Sequence, residues 1–266
     1  MTQPTKLADV LLASTEVVNA TFLPPAKRIG EVLDAALLFV FTPLLKSKVA
    51  NEHSIDVYKK EIAEKVNSIP SENLVEPPLN IVGPALEASK YYIESDEIRA
   101  MFSNLIASSA NNTNNQKIHP SFVEIIKQMS PLDAIVCTFL FENEKSFGVG
   151  NIQGIYSKPN STNGLKTSAA SIVEHFFPLP NLTVDNYKDY QASITNLIRL
   201  GLIDITYNRS YVANERYTKL LEHPLYISIQ DRTKVEALPD NFLHFDIQKG
   251  CWSFTAFGNN FTACCL

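Results

Sequence analysis

Five histidines supply the imidazole groups that proteins most often use for acid–base catalysis and metal binding. They are His53, His119, His175, His223 and His244. No pair has the His-Glu-x-x-His spacing that places two zinc ligands on one helix face. His119 is the most informative, because it directly precedes Pro120 at a predicted helix start. We expect it to cap that helix or form another hydrogen bond, with a reactive role as the alternative.

Three charged residues, Glu87, Glu97 and Arg99, lie on neighbouring predicted helices. Two carboxylates in one site can serve as acid and base, whereas carboxylates around a buried guanidinium form an ion-pair network. Clustered charges alone do not indicate catalysis, because structural networks perturb pKa values as well. We therefore expect a structural ion-pair network.

Thiols and glycine-rich loops give no further sign of chemistry. The four cysteines are Cys137, Cys251, Cys264 and Cys265. They form no Cys-x-x-Cys pair and have no histidine at metal-ligand spacing, so we expect free thiols in a reducing compartment. Gly148-Val-Gly150 lacks the third glycine and the lysine of a phosphate-binding loop, and no Gly-x-Ser-x-Gly nucleophile elbow occurs. The sequence predicts no catalytic residue, no cofactor and no metal.

Length and composition are those of a globular protein. The 266 residues are 45% hydrophobic and 19% charged, enough for one large or two ordinary domains. The net charge of −5 does not favour nucleic-acid binding, which usually requires a basic patch. Residues 1–9 lack the basic-then-apolar pattern of a secretory signal, so we expect a cytoplasmic protein.

Residues 29–45 form the most apolar stretch and are predicted to be a helix. The stretch is short for a membrane span, which needs about 20 apolar residues, and it contains Glu31, Asp34 and Pro43. Because it is apolar on nearly all sides, we expect it at the centre of a bundle or against a partner. The alternative is a membrane-active helix that a trigger exposes.

Further helices are predicted up to residue 141. In one of them, which Ser95 should cap, apolar residues recur at helical spacing and predict a core face: Ile98, Met101, Phe102, Leu105 and Ile106. Gly83 and Pro84 are expected to begin the preceding helix. Ser121 and Glu124 fit a capping box for the following one.

The composition changes after residue 141. Residues 142–166 contain four glycines and many Ser, Thr and Asn, which predicts a linker, and a short helix is expected over 167–177. A helix over 186–200, a strand over 202–207, a strand over 250–254 and a final helix capped by Thr255 form a winged-helix outline. Its wing, 208–249, is unusually long and is expected to hold a strand at 226–229.

We therefore predict a mainly α fold with three parts. A helical bundle occupies residues 1–141, a linker with a short helix occupies 142–180, and a winged-helix-like α+β domain with a small β wing occupies 181–266. Residues 181–266 contain eight Lys or Arg and nine Asp or Glu. Phosphate contacts need clustered positive charge, so protein interaction or a structural cap is favoured over DNA binding, which stays an alternative.

Three motifs and the C-terminal stretch carry a family resemblance. They are Pro-Pro-Leu-Asn-Ile-Val-Gly-Pro-Ala-Leu-Glu-Ala (77–88), Glu-Ile-Arg-Ala-Met-Phe-Ser-Asn-Leu-Ile-Ala (97–107), His-Pro-Ser-Phe-Val-Glu-Ile-Ile-Lys-Gln-Met-Ser-Pro (119–131) and Ser-Phe-Thr-Ala-Phe-Gly-Asn-Asn-Phe (253–261). In this order they resemble the abortive infection alpha family. The resemblance implies a bacterial or phage-encoded protein of anti-phage defence, and it implies no reaction, cofactor or catalytic residue.

The resemblance also points to eleven positions: Pro78, Asn80, Gly83, Pro84, Glu87, Arg99, Phe102, Asn104, His119, Pro120 and Phe122. Glycine and proline shape the chain, and the two phenylalanines are expected in the core. The polar members are a candidate cluster with a structural or partner-binding role: Asn80, Glu87, Arg99, Asn104 and His119.

We expect a non-enzymatic defence protein that acts through contacts with a phage or host protein. A homo-oligomer is a further expectation. The alternatives are a membrane-active effector that uses residues 29–45 and a winged-helix DNA-binding regulator. Nucleic acid is not expected as a partner, and membrane contact comes second to protein contact.

Overall fold

The computed structural model describes residues 25–47, 52–157, 167–232, 239 and 241–266. These residues fall into two units: one extends to Pro131 and also includes Asn260–Leu266, and the other is Leu132–Asn259. The first unit is helical. Its helices are α1 (Pro25–Ser47), α2 (Glu52–Asn67), α3 (Leu79–Ser89), α4 (Asp96–Ser109) and α5 (Ser121–Lys127), with 3₁₀ turns at Ser71–Asn73 and Asn112–Asn114.

Helix α4 is the central helix of the first unit, and it contacts α2, α3 and α5. The apolar spacing that predicted its core face is confirmed, because all five residues are at most 2% exposed. Aromatic pairs join the other helices to this core. The Phe41 ring meets Tyr58 edge-on at 6.0 Å, and Phe122 meets Phe261 edge-on at 5.4 Å. Edge-to-face pairs of this kind add to the stabilisation that burial gives.

Helix α3 begins earlier than the sequence predicted. Pro77 and Pro78 precede it, and Pro78 has the extended backbone of an N-cap residue. The helix starts at Leu79, so Gly83 and Pro84 lie inside it. Proline has no N–H to donate to the carbonyl four residues earlier, and therefore the Asn80 carbonyl lacks its helical partner.

The predicted helix over residues 29–45 is confirmed as α1. One side of it is buried, including Leu33, Leu37 and Phe41, while Glu31 and Asp34 are exposed. None of the helices within the described ranges combines the length and apolar character that crossing a bilayer requires.

The second unit is built on a four-stranded antiparallel sheet in the order β2-β1-β4-β3. Its strands are β1 (Val149–Ser157), β2 (Thr167–Phe176), β3 (Ile203–Thr206) and β4 (Phe242–Phe254). Its helices are α6 (Pro131–Glu142), α7 (Tyr187–Arg199), α8 (Glu215–Leu221), α9 (Pro224–Arg232) and the first residues of α10 (Ala256–Cys265). The first part of β4 pairs with β1, and its last residues pair with β3.

Trp252 on β4 is the centre of the core in the second unit. Its ring lies 6.0 Å from that of Phe147 and 5.3 Å from that of Phe177. The indole N–H donates to the Phe147 carbonyl at 3.1 Å, so the one polar atom of this buried side chain is satisfied.

The predicted fold class is wrong. The described residues form an α+β protein with a four-stranded sheet, and this is not a mainly α fold with a winged helix. The sequence did predict the positions of helix α7, strand β3 and helix α10, and it predicted that β3 pairs with the end of β4. The expected wing instead holds α8 and α9, and residues 226–229 are helical in α9.

The remaining error lies in residues 142–177, where the linker and short helix were expected. They contain β1 and β2. In β1 the apolar alternation is broken, since the pairing shifts register between Gly150 and Ile152 and again before Gln153. In β2 the small residues of 167–171 have no period-2 pattern. Pairing with distant β4 fixes β1, and β2 pairs in turn with β1. Local propensity does not override such tertiary contacts.

Close packing of α10 on the start of β3 gives a stability prediction. A Cβ on Gly258 would lie 1.9 Å from the Leu202 carbonyl oxygen, whereas a Cβ on helical Gly30 would meet nothing within 4 Å. Gly258→Ala should lower the free energy of unfolding by about 3 kcal/mol and the Tm by roughly 6–12 °C. Gly30→Ala, the matched control, should raise stability by about 0.5–1 kcal/mol. Thermal unfolding followed by circular dichroism measures both, and equal Tm values would contradict the packing.

Candidate functional site

A row of polar side chains on α2 faces α4 and the segment before it. Residues 54, 58, 61 and 65 recur every three or four positions and so share one helix face. The Ser54 hydroxyl donates to the Glu94 carboxylate at 3.1 Å, and Lys65 donates to the Asn104 side-chain oxygen. Between them Glu61 accepts from Arg99. We call these contacts the α2–α4 polar seam.

Arg99 is the most buried charge of the polar seam, at 8% exposure. Its guanidinium donates to Glu61 at 3.0 Å, to Asp96 at 2.8 Å and to the Ile93 carbonyl at 3.0 Å. Burial opposes the charge, but the hydrogen bonds and attraction of Glu61 and Asp96 prevail and raise the pKa of Arg99. A buried charge is tolerated only when it is paired in this way.

The predicted carboxylate partners of Arg99 are wrong. Glu87 pairs with Lys90 at the surface, and Glu97 accepts from the Ser95 hydroxyl. Ser95 stands at the N-cap of α4, but its side chain forms no capping hydrogen bond. The carboxylates that do pair with Arg99 are Asp96, three positions earlier on α4, and Glu61, which lies 38 positions before it on α2.

Asn104 ties α4 to the last turn of α10. Its amide nitrogen donates to the Cys265 carbonyl at 3.1 Å and to the Leu266 carbonyl at 2.9 Å, while its oxygen accepts from Lys65. The Asn104 amide thus links α4 to Lys65 on α2 and to the last two carbonyls of the chain, at the end of α10.

His119 lies at the start of α5. Its Nδ1 accepts from the Ser121 backbone N–H at 3.2 Å and lies 2.6 Å from the Ser121 hydroxyl. Its ring packs 6.3 Å from that of Phe122. Glu124 bonds to Lys127 rather than completing the predicted capping box, so His119 satisfies a helix-end N–H instead.

Asn80 and Glu87 are both exposed on α3, seven residues apart. The five predicted residues therefore occupy different settings: Arg99 and Asn104 in the polar seam, His119 at the end of α5, and Asn80 and Glu87 on the outer side of α3. The contacts described above do not gather them into one pocket of catalytic groups.

A cavity of about 300 Å³ lies between α1 and α3, and we call it the α1–α3 groove. Its lining is apolar apart from two carboxylates, Glu76 before α3 and Glu87 near its end. Much of the apolar lining comes from Val32, Ala36, Phe39, Val82, Gly83 and Leu86. Sequence patterns did not indicate the groove, because it is a space between two helices and not a motif.

Large apolar side chains around the α1–α3 groove remain in contact with solvent. Two of its lining residues, Phe39 on α1 and Leu79 at the start of α3, are 48% and 52% exposed. Contiguous exposed apolar surface commonly marks an interaction site. A smaller cleft of about 240 Å³ lies on the other side of α1, against α2, and is lined by Gly30, Glu31, Asp34 and Lys59 among others.

The second unit holds a polar group that the sequence did not single out. His175 has a backbone φ of +51°, which non-glycine residues seldom adopt. Its backbone N–H donates to the Asn151 side chain at 2.9 Å, and its Nδ1 lies 3.1 Å from the Tyr207 hydroxyl, with the rings stacked. Burial lowers the pKa of His175 and raises that of Tyr207. The imidazole is therefore neutral near pH 7.

Two buried thiols, Cys137 and Cys264, are less acidic than an ordinary cysteine. Burial, with a smaller effect of Asp133, raises the pKa of the Cys137 thiol to about 12, and burial raises that of Cys264 to about 11. Reactive cysteines have a lowered pKa. Within the described ranges, no three side chains of the metal-binding types gather closely enough to hold a metal ion.

A family model described as abortive infection alpha matches residues 50–265. The chain belongs to the abortive infection alpha family. The resemblance seen in the sequence motifs is thereby confirmed. No curated protein and no solved structure matches the chain.

The match covers part of the candidate site. Helix α3, which forms one wall of the α1–α3 groove, and the polar seam lie inside the residues that match the abortive infection alpha model. Helix α1, the other wall, precedes them. The motif over residues 77–88 therefore has a definite structural place: it leads into α3 and forms the groove wall.

The polar seam gives a prediction about buried charge. Arg99→Met should lower the free energy of unfolding by roughly 3 kcal/mol, because it leaves the Glu61 carboxylate without its cation. Tyr58 is the matched control. It is fully buried beside the Ser89 hydroxyl, but that hydroxyl donates to the Leu86 carbonyl, and no described residue meets hydrogen-bond geometry with the Tyr58 hydroxyl. Tyr58→Phe should therefore be neutral or stabilising by up to about 1 kcal/mol. Urea unfolding measures both, and equal losses would refute this account of the polar seam.

The second unit should lose stability in mild acid. Burial lowers the pKa of His175, and it lowers that of His223 despite the Leu179 carbonyl, to which the His223 ring is hydrogen-bonded. Unfolded histidine has a pKa of about 6.5, so below that pH the unfolded chain binds more protons and stability falls. Well above that pH both histidines are neutral in the folded and the unfolded chain, so they add no pH dependence to the stability. The Tm measured from pH 7.5 to 5.5 should decline, and His175→Asn, which suits a positive φ, should decline less. An unchanged slope in that variant would count against the assignment.

Proposed function

We propose that this abortive infection alpha protein acts without catalysis, by binding a phage or host protein in the α1–α3 groove. The observation that carries the proposal is the apolar lining of the groove together with its solvent-exposed apolar rim. Keeping Phe39 and Leu79 in water forgoes the stabilisation that burying large side chains gives. A partner that covers them recovers this free energy.

The dimensions and charges of the α1–α3 groove favour a helical segment as the bound element. An amphipathic helix laid in an apolar groove is a recurrent mode of recognition. Glu76 and Glu87 lie at opposite ends of α3, which at 11 residues is about 16 Å long. A helix with an apolar face and a Lys or Arg toward each end would match this arrangement.

The polar residues of the family motifs support binding over catalysis. Arg99 and Asn104 are engaged in contacts that join helices, and His119 bonds to the start of its own helix. These contacts use the groups that a catalytic site would need to present to a substrate. The raised pKa values of the buried thiols point in the same direction.

Gly83 gives the α1–α3 groove a specific test. Glycine inside a helix costs about 0.5–1 kcal/mol relative to alanine. Outside its own helix and its chain neighbours, a Cβ at this position would meet nothing within 4 Å. Glycine also suits this position because it directly precedes Pro84 inside the helix, where a Cβ would crowd the proline ring. The open groove depends on it as well, since any larger side chain at Gly83 would enter the lining.

Gly83→Leu should fill the α1–α3 groove and abolish phage restriction while the protein stays folded at the assay temperature. The measurement is the efficiency of plating of a phage that the natural chain restricts. Gly30→Leu is the matched control, because that helical glycine also has nothing within 4 Å of a Cβ but lines the other cleft. It should keep restriction within about twofold of the natural chain.

Two outcomes would reject the proposal. Full phage restriction by a stable Gly83→Leu protein would show that the α1–α3 groove is not the binding site. Loss of restriction in stable His119→Asn or His175→Asn proteins would indicate chemistry at these imidazoles instead of binding.

A further inference from the structure

We propose that residues 7–18 of this chain bind in the α1–α3 groove as an amphipathic helix and close it until a partner protein displaces them. The inference rests on the proposed function and adds a regulation of the same site. Residues 1–24 lie outside the ranges that the structure describes, so the properties of this segment are taken from its sequence. We call residues 7–18 the N-terminal segment.

The N-terminal segment carries the pattern of an amphipathic helix. Five apolar residues fall on one helix face, at positions i, i+3, i+4, i+10 and i+11: Leu7, Val10, Leu11, Val17 and Val18. Asp9 and Glu16 fall on the opposite face, which suits solvent. No proline or glycine interrupts residues 5–23, and Pro24 and Pro25 separate the segment from the rest of α1. A short amphipathic helix gains its stability by packing its apolar face against another surface.

The length of the chain allows the N-terminal segment to fold back along α1. The groove lining on α1 runs from Val32 to Val40, which is roughly 12 Å of helix. Val32 lies roughly 10 Å along α1 from Pro25, and residues 19–24 span at most about 20 Å when extended. A helix over the segment is roughly 18 Å long. After this connection the segment therefore covers the groove along α1.

The α1–α3 groove offers a matching apolar surface. Its lining is apolar apart from Glu76 and Glu87, and Phe39 and Leu79 are about half exposed. Packing the apolar face of the segment there removes both sets of side chains from water, which is favourable. The segment also competes well with other ligands, because a tethered group has an effective concentration of about millimolar.

The charges explain how a partner displaces the N-terminal segment. Lys6, which precedes the apolar face, is the only Lys or Arg of residues 1–23. The segment can therefore pair with a carboxylate at one end of the groove only, whereas Glu76 and Glu87 lie toward opposite ends of α3. A partner helix with a cation at each end forms a second charge-assisted contact, which shifts the competition toward the partner.

Binding of a free peptide to the full-length chain tests whether the groove is occupied. The probe is a fluorescein-labelled synthetic peptide of residues 4–20, followed by fluorescence anisotropy. The natural chain should bind it weakly, because its own segment fills the groove. Leu11→Asp in the chain should release the segment, since an unpaired carboxylate is costly to bury. The apparent Kd of the peptide should then fall about tenfold or more, because the tethered competitor is lost.

Leu12→Asp is the matched control for Leu11→Asp. It makes the same change at the next position, which lies about 100° around the helix and off the apolar face. The chain with Leu12→Asp should keep its segment in the groove and bind the peptide as weakly as the natural chain.

A second set of variants, made in the Leu11→Asp chain, locates the site. Leu79→Asp should weaken peptide binding about tenfold or more, through the loss of a leucine contact that the peptide buries. Leu79 is 52% exposed at the start of α3, so its replacement should leave the fold intact. Gly83→Leu should weaken binding at least as much by filling the lining, whereas Gly30→Leu, in the other cleft, should not. Circular dichroism verifies that each chain is folded at the temperature of the measurement.

Three results would overturn the inference: no binding of the peptide by the Leu11→Asp chain, equal binding by the Leu11→Asp and Leu12→Asp chains, and binding that survives both Leu79→Asp and Gly83→Leu. The proposed function fails separately, when a folded Gly83→Leu protein still restricts phage. Loss of restriction in that protein, without peptide binding by the Leu11→Asp chain, would keep the groove as the partner's site and reject its closure by the N-terminal segment.

Discussion

The buried ion pair between Arg99 and Glu61 is the constraint on which the helical unit depends. A guanidinium removed from water must keep its partners, so α2 can lie against α4 in only one register. That register also sets Lys65 against Asn104 and Ser54 against Glu94. The position of α2 in turn fixes where α1 packs, and α1 together with α3 encloses the groove. The polar seam therefore acts on the groove through the packing of helices and not by direct contact.

The sequence predicted best where a local pattern and the tertiary structure agree. The apolar spacing of α4 and Thr255 before α10 are such cases, and Thr255 does accept from the Gly258 N–H at 2.8 Å. Strands β1 and β2 are the opposite case. Their glycines, serines and alanines have weak local preferences, β1 finds its partner in β4 about 90 residues away, and β2 depends on β1. Without that pairing the same residues suit a loop or a helix equally well.

In the candidate site, too, local contacts could be predicted from the sequence, and contacts between distant parts of the chain could not. The hydrogen-bonding role of His119 follows from its neighbours in the chain, whereas Glu61, which pairs with Arg99, comes from another helix 38 positions earlier in the chain. The α1–α3 groove has no sequence signature, because an unfilled space is defined by helices that are far apart in the chain. His175 was one of five scattered histidines, and only its positive φ and the stacked Tyr207 distinguish it.

The helical unit is discontinuous in the chain, and this affects its synthesis. Phe261 packs on Phe122, and the carbonyls of Cys265 and Leu266 accept from Asn104. These late residues leave the ribosome only after residues 132–259 have been made, which takes roughly 6–25 s at usual elongation rates. During that interval the nascent helical unit has an open core position and unfilled hydrogen bonds. Complete folding of the first unit thus waits for translation of the second.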